Sequence, residues 1–349
     1  AYELKLPAAE EKLQAFLDRY PASRYTGRVH YLAGSARFFR KDYAAAINEF
    51  LLADLERLDD ADRDAGTCRM ATAYQEMGDL QNAALWFTLL KEVSRTYYPD
   101  AVYNLAYIDY TQRKYDTAMA GFREAAGYEA YRELSPYYIA DIFLKLQRYE
   151  EARQQAEHYL AAYPQQPKLA EMRRVLGEAL YALQRYADAV PSLEAYATAA
   201  GREADRKALY DLGMSYYRTQ VYSKAAATLG AATGVDDIVT QNAYFHMGLA
   251  YLQLKERSQA RMAFAQAAAK DYDRAVKEEA LYNYALCIHE TSYSPFAESV
   301  TVFERFLNEF PQSAHTEKVK DYLVEVYMNT RSYLAALQSI AKISRRGAR

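Results

Sequence analysis

The chain has 349 residues, 51% of them hydrophobic and 26% charged, with only 13 glycines and 9 prolines, which is the composition of a soluble, well-buried helical protein. Its 43 Lys and Arg against 46 Asp and Glu leave a net charge of −3 with no basic stripe, so the charge pattern argues against a nucleic-acid partner. No apolar run is long enough to cross a membrane, and no apolar signal segment opens the chain.

The first twenty residues place Ala9, Leu13 and Phe16 at helical spacing and end at Pro21. They predict the second helix of a hairpin whose first helix is missing. With no methionine at the start, the chain reads as an excised or processed part of something longer. From about Tyr25 a unit repeats. Ala46, Ala83, Ala118, Ala152, Ala189, Ala225 and Ala260 recur 34 to 37 residues apart. Each alanine follows a small residue by twelve positions and usually a tyrosine by three, and precedes two apolar residues, as in Gly213, Tyr222, Ala225, Leu229 and Ala232. The same series runs Gly34, Tyr43, Ala46, Phe50, Ala53, then Ala106, Tyr115, Ala118, Phe122, Ala125, then Gly177, Tyr186, Ala189, Leu193, Tyr196.

Spacings of three and four predict helices, and the stretch before the tyrosine, such as Gly78-Asp79 or Arg113-Lys114, breaks the apolar period as a turn. Each unit is therefore a helical hairpin. A hairpin cannot cover its own apolar faces, so neighbouring copies stack into a solenoid. Gly177, Gly213 and Gly248 on first helices and Ala189, Ala225 and Ala260 on second helices then let the two backbones approach closely.

A divergent eighth unit is built on Ala285, Phe303 and Phe306, with extra residues in its turn around Ser294 and Pro295; a ninth runs over Val324, Tyr327, Tyr333 and Ala336. Pro21, Pro164 and Pro311 close second helices, Pro136 and Pro295 open helices, and Pro191 is expected in the first turn of its helix. Ser344 to Arg349 read as a frayed, cut end. No linker, low-complexity stretch or composition break divides the chain, so residues 1–349 are expected to form one domain.

The recurring small, aromatic and alanine residues resemble the tetratricopeptide repeat family over nearly the whole chain. The resemblance implies an all-α fold, an α-α superhelix of about nine hairpins plus an N-terminal half repeat, with first helices lining a concave surface. On that surface it places Tyr31, Phe38, Phe39, Tyr103, Tyr107, Tyr110, Tyr137, Tyr181, Tyr210, Tyr217, Phe245 and Tyr282. The chain holds 35 tyrosines and one tryptophan. Tyrosine gives large, fairly rigid contact area with a hydroxyl that can stay wet, so an aromatic-lined groove is expected; the alternative is that these rings pack between adjacent first helices. The family's carboxylate clamp, with paired lysines and asparagines, is poorly matched: Asn104, Asn242 and Asn283 are present, but the equivalent positions are mostly tyrosine. The endings Phe16 to Pro21, Tyr159 to Pro164 and Phe306 to Pro311 read as helix stops with an aromatic plug, and they resemble those of bacterial cell-envelope tetratricopeptide proteins.

Little else carries chemistry. His30, His158, His246, His289 and His315 are scattered without metal-ligand spacing. The aspartates of Asp59 to Gly66 alternate like a calcium loop, but the glycine falls one place late and Ala71 stands where the closing glutamate is needed, so they read as caps for the next helix. Ser339 to Lys342 matches a serine–lysine spacing without a supporting motif. Cys68 and Cys287 lie in units too distant to meet. No catalytic residue, metal or cofactor is expected. The expected function is a non-catalytic scaffold holding a protein or peptide partner, in a bacterial periplasm or envelope assembly; a glycan-binding module and a spacer or oligomerisation arm are the alternatives.

Overall fold

A computed structural model describes residues 7–165, 168–291, 295–329 and 337–338. Their regular structure is helical, with no strand among the described residues. The chain divides into two compact units, Ala1–Met172 and Arg173–Arg349. The first holds α1 (Pro7–Arg19), α2 (Thr26–Phe39), α3 (Tyr43–Ala53), α4 (Asp60–Glu76), α5 (Leu80–Val93), α6 (Tyr98–Thr111), α7 (Tyr115–Ala125), α8 (Ser135–Lys145) and α9 (Tyr149–Ala162). The division falls in α10 (Leu169–Ala182). The second unit continues with α11 (Tyr186–Ala200), α12 (Arg206–Arg218), α13 (Tyr222–Ala231), α14 (Ile238–Gln253), α15 (Arg257–Ala268), α16 (Arg274–Thr291), α17 (Pro295–Glu309) and α18 (Thr316–Asn329). The chain is an α-α solenoid of hairpins, eight of them complete among the described residues, from α2–α3 to α16–α17. Helix α1 is the expected half repeat, tied to α2 by Glu10, which accepts from Arg37 at 3.0 Å and also from Arg40. Helix α18 carries Val324 and Tyr327 of the expected ninth unit. Tyr333, Ala336, the Ser339 to Lys342 stretch, Ser344 to Arg349 and Ser294 lie outside the described residues.

The turns inside the hairpins share one backbone device. Lys41, Gly78, Arg113, Gln147, Gln184, Gln220 and Lys255, each seven residues after the small residue of its unit, all have φ between 58° and 79°. At each, the chain closes a Schellman motif: Gln184 N–H donates to Tyr181 O and Arg185 N–H to Leu180 O, both at 2.9 Å. Only one of the seven is glycine, so six side chains are held in the left-handed region, at a cost of about 1–2 kcal/mol each. Replacing exposed Gln184 by glycine relieves that cost against a larger unfolded-state entropy, and should stabilise the protein by roughly 0.5–1 kcal/mol. A lower thermal midpoint for Gln184→Gly would show that the turn is not strained.

The crossings inside the hairpins explain the small residues. All seven repeat alanines have 0% relative exposure. A Cβ built on Gly177 would lie 2.4 Å from Leu193 Cγ, and one on Gly213 would lie 2.7 Å from Leu229 Cγ and 3.0 Å from the Leu229 backbone nitrogen. Glycine is therefore required at these crossings by space rather than by φ.

The prolines mostly fall as expected. Pro136 is in the first turn of α8 and Pro295 opens α17, while Pro21, Pro164 and Pro311 lie just past the ends of α1, α9 and α17. Pro191 does not lie in a first turn. It is the sixth residue of α11, because the preceding Schellman turn fixes the start of that helix at Tyr186. Its ring faces solvent, and α11 continues through it to Ala200.

Candidate functional site

Residues three, four and seven apart share one face of a helix. Tyr103, Tyr107 and Tyr110 of α6 therefore project together, and the next first helix, α8, meets them with Tyr138. Tyr103 is edge-on to Tyr138 at 6.1 Å between ring centroids, Tyr107 at 5.7 Å and Tyr110 at 5.2 Å. Tyr138 itself lies flat on Phe122 of α7 at 4.7 Å, and Tyr103 on Tyr131 of the α7–α8 connection at 4.2 Å. Burial pushes the Tyr103, Tyr131 and Tyr138 phenols up, so they remain protonated donors. Tyr131 donates to Asp100 at 2.7 Å and Tyr110 donates to the buried Asp141, which also lies 3.3 Å from Lys145 Nζ. Earlier in the unit, Arg69 of α4 donates to the Tyr31 hydroxyl and to Ser35 Oγ, both at 2.9 Å, and lies over the Tyr31 and Phe39 rings. Phe38 packs edge-on to Phe39 and Tyr43.

The corresponding face of the second unit also combines rings with charged groups. Tyr181 packs against Tyr186 at 5.6 Å, Tyr217 against Tyr222 at 5.8 Å and His246 at 5.3 Å, and Phe245 against Phe264 at 6.0 Å. Burial lifts the Tyr210 phenol to about 12 and holds His246 below its usual value, hence neutral near pH 7. Beside these rings runs a polar row. Arg174 donates to Glu178 at 2.7 Å, and Lys207 Nζ bridges Glu178 at 2.9 Å and Asp211 at 2.7 Å. Both carboxylates are buried, whereas the Lys207 side chain is 63% exposed.

Burial pushes the Asp211 carboxyl up to about 6, with Lys207 working in the opposite direction. The folded chain therefore holds this proton more tightly than the unfolded chain, where the value is near 3.8. The contribution of Asp211 to stability is most favourable below about pH 4 and falls as the pH rises from about 4 to 6, by at most about 3 kcal/mol. Asp211→Asn should remove that slope, so the stability of wild type relative to the variant should fall between pH 4.5 and pH 7 in denaturant titrations. A pH-independent difference would place Asp211 in an ordinary, fully solvated environment.

The twelve aromatic residues marked by the sequence do not all present themselves alike. Tyr31, Tyr137 and Tyr282 are buried, at 6%, 8% and 6% exposure; Tyr137 lies under Lys168, and Tyr282 is stacked on His315 at 4.0 Å. These three rings lie beneath their neighbours. Phe38, Phe39, Tyr103, Tyr107, Tyr110, Tyr181, Tyr210, Tyr217 and Phe245 are half-buried, with rings partly covered by neighbours and edges at the surface. The structure adds Tyr131, Tyr138, Arg69, Asp141, Lys145, Glu178, Lys207 and Asp211. Asp141 and Glu178 each directly follow the small residue of their unit, a register legible in the sequence, whereas Tyr131 lies in a connection with no period to mark it.

The remaining polar candidates are structural. His30 pairs with Glu49 at 2.7 Å, His315 with Glu279 at 2.8 Å, and His246 Nδ1 lies 2.9 Å from Asn242 O. Asp59 caps α4 by accepting from Asp62 N–H, and Arg63 pairs with both Asp60 and Asp64. No three His, Cys, Asp or Glu among the described residues are arranged to hold a metal ion. No helix among the described residues is long and apolar enough to cross a membrane.

Family models described as tetratricopeptide repeat match residues 137–205, 174–236 and 242–273. No curated protein matches the sequence. Among solved structures, the chain is similar to YrrB, described as a TPR protein with an unusual peptide-binding site, at 20% identity over 56% of this chain and 96% of that one, with a TM-score of 0.47. It is similar to a tetratricopeptide repeat protein from Parabacteroides merdae at 16% identity over 79% and 99%, with a TM-score of 0.47. It is also similar to MamA from Desulfovibrio magneticus at 19% identity over 49% and 93%, with a TM-score of 0.41. With stacked helical hairpins and a fully buried alanine in seven of them, the chain is a repeat solenoid whose matched residues, 137–236 and 242–273, carry tetratricopeptide repeats, the repeat of a protein-interaction fold.

Proposed function

We propose that the tyrosine-rich faces of the first helices are the recognition surfaces, and that each binds an extended peptide or a partner helix without chemical change to it. The observation that carries this is the half-buried state of Tyr107, Tyr110, Tyr181 and Tyr217. Their rings are held by neighbours while their edges stay accessible, so a partner gains aromatic contact at little further cost in side-chain entropy. Buried, ion-paired carboxylates beside them, Asp141 in the first unit and Glu178 and Asp211 in the second, add fixed polar positions that favour one register of a bound chain. What supports an envelope setting is the aromatic-proline close of α1, α9 and α17, which resembles the helix endings of bacterial envelope repeat proteins.

The test is capture from native extract by immobilised protein, wild type beside Tyr107→Ala/Tyr217→Ala, which removes one ring from each unit's face. Proteins held by wild type and lost by the variant, with circular dichroism unchanged, are the expected result and name the pathway. Equal capture at unchanged helicity would remove the aromatic faces from binding and leave the spacer reading in their place.

A further inference from the structure

We propose that the first unit carries a second docking site, built on the second helices α3 and α5 rather than on the tyrosine faces, and that it takes an amphipathic helix with basic flanks from another protein. Between α3, α5 and the start of α4 lies a cleft of about 360 Å³ lined by Phe50, Leu55, Trp86, Leu89, Val93 and Arg63. Exposed apolar residues line and extend it: Leu51, 56% exposed, and Val93, 42%, line the cleft, and Leu85, 63% exposed, lies one turn before the lining residue Leu89. Leu85, Leu89 and Val93 follow one another at intervals of four along α5, so they form a continuous stripe of about two turns. The hairpin does not require this stripe, because Ala83, Phe87 and Leu90 already supply the buried face of α5. A contiguous apolar rim around a cleft is the usual mark of a contact surface.

Size and charge choose the occupant. Half a dozen apolar residues along two helical turns match one short helix; a stable contact between two copies would engage about 20–30 residues a side. The segment that edges the cleft, from Asp54 through the first turn of α4 at Asp62, carries five carboxylates, Asp54, Glu56, Asp59, Asp60 and Asp62, against the single guanidinium of Arg57. Arg57 is held by Asp54 and Arg28 by Asp62, while Arg63 is shared between Asp60 and Asp64. Glu56 lines the cleft with no ion pair among the described residues, and the Asp60 side chain is 88% exposed. The rim therefore retains negative charge, and a helix whose apolar face enters the cleft meets it with lysine or arginine on its flanks.

Trp86 is the only tryptophan of the chain and lines the cleft while its other side packs on the cores of the flanking hairpins, so its emission reports events at this site. The probe is a tryptophan-free synthetic helix of about four turns with leucine along one face and lysine on both flanks, titrated beside its glutamate-flanked counterpart. The expected result is a saturable shift of Trp86 emission with the lysine peptide that weakens as salt is raised. The glutamate peptide should bind at least tenfold more weakly. Leu85→Ser should lose the response at an unchanged thermal midpoint, since its side chain supports no core. Tyr107→Ala/Tyr217→Ala should keep it, which separates this site from the tyrosine faces. An unmoved emission, equal responses to both peptides, or wild-type binding by Leu85→Ser would overturn the proposal. A Trp86 shift that follows protein concentration alone, with a doubled mass in light scattering, would overturn it in favour of a second copy.

Discussion

Phe122→Ala should cost about 3–5 kcal/mol. Phe122 has 0% relative exposure on α7, at the position four residues after the repeat alanine Ala118. Its ring lies parallel to Tyr138 at 4.7 Å and meets Tyr103 edge-on at 5.7 Å and Tyr110 at 6.4 Å. Truncation removes the transfer free energy of the ring and leaves a cavity whose walls belong to three helices, so it cannot collapse without moving a backbone. The same cavity lies directly beneath the tyrosine face, because Tyr138 is the ring that Tyr107 and Tyr110 lean on. Phe122→Ala should therefore lower the thermal midpoint and also loosen the face, seen as increased near-ultraviolet tyrosine mobility. A midpoint equal to wild type would remove Phe122 from the core.

Gly248→Ala should destabilise by about 1–3 kcal/mol although alanine is the better helix former by nearly 1 kcal/mol. A Cβ there would lie 2.5, 2.6 and 2.8 Å from three atoms of the Phe264 ring. That ring is fully buried at the crossing of α14 and α15 and has no flexible end to give way. The contrast is Gly230 in α13, where the nearest atom to an added Cβ is Met247 Cε at 3.6 Å, the far end of a flexible chain. Gly230→Ala should gain about 0.4–1 kcal/mol by narrowing the unfolded ensemble. Two chemically identical substitutions with opposite signs in one melting series would establish that backbone approach, not helix propensity, sets the small residues of the repeat. Equal signs would refute it.

Much of this was legible before any coordinates. Ala46, Ala83, Ala118, Ala152, Ala189, Ala225 and Ala260 are periodic because each is the point where two helices cross, and a crossing tolerates no side chain larger than methyl. The turns were legible in place but not in conformation, since Lys41, Arg113, Gln147, Gln184, Gln220 and Lys255 are not residues that announce a left-handed backbone. Pro191 was misplaced by a turn because the start of α11 is set by the Schellman motif before it, which no residue type marks. The burial of Tyr31, Tyr137 and Tyr282 was not legible either. Whether a first-helix ring is floor or surface depends on what the neighbouring repeat and its connections lay over it, as His315 lies over Tyr282 and Arg69 over Tyr31, and that is information of long range. The acidic residues of the face were open to reading: Asp141 follows Ala140 and Glu178 follows Gly177, a repeated register that aromatic counting passes over.

The central claim is that the first-helix tyrosines are contact surface rather than packing alone. The most direct test is the affinity of a peptide selected on the wild-type chain from a display library, measured by fluorescence anisotropy on wild type and on Tyr107→Ala/Tyr217→Ala. Truncating a central interface tyrosine costs on the order of 2 kcal/mol, so binding should weaken by tenfold or more with helicity unchanged. Equal affinity at equal helicity would contradict the account, and would leave those rings as mortar between neighbouring helices.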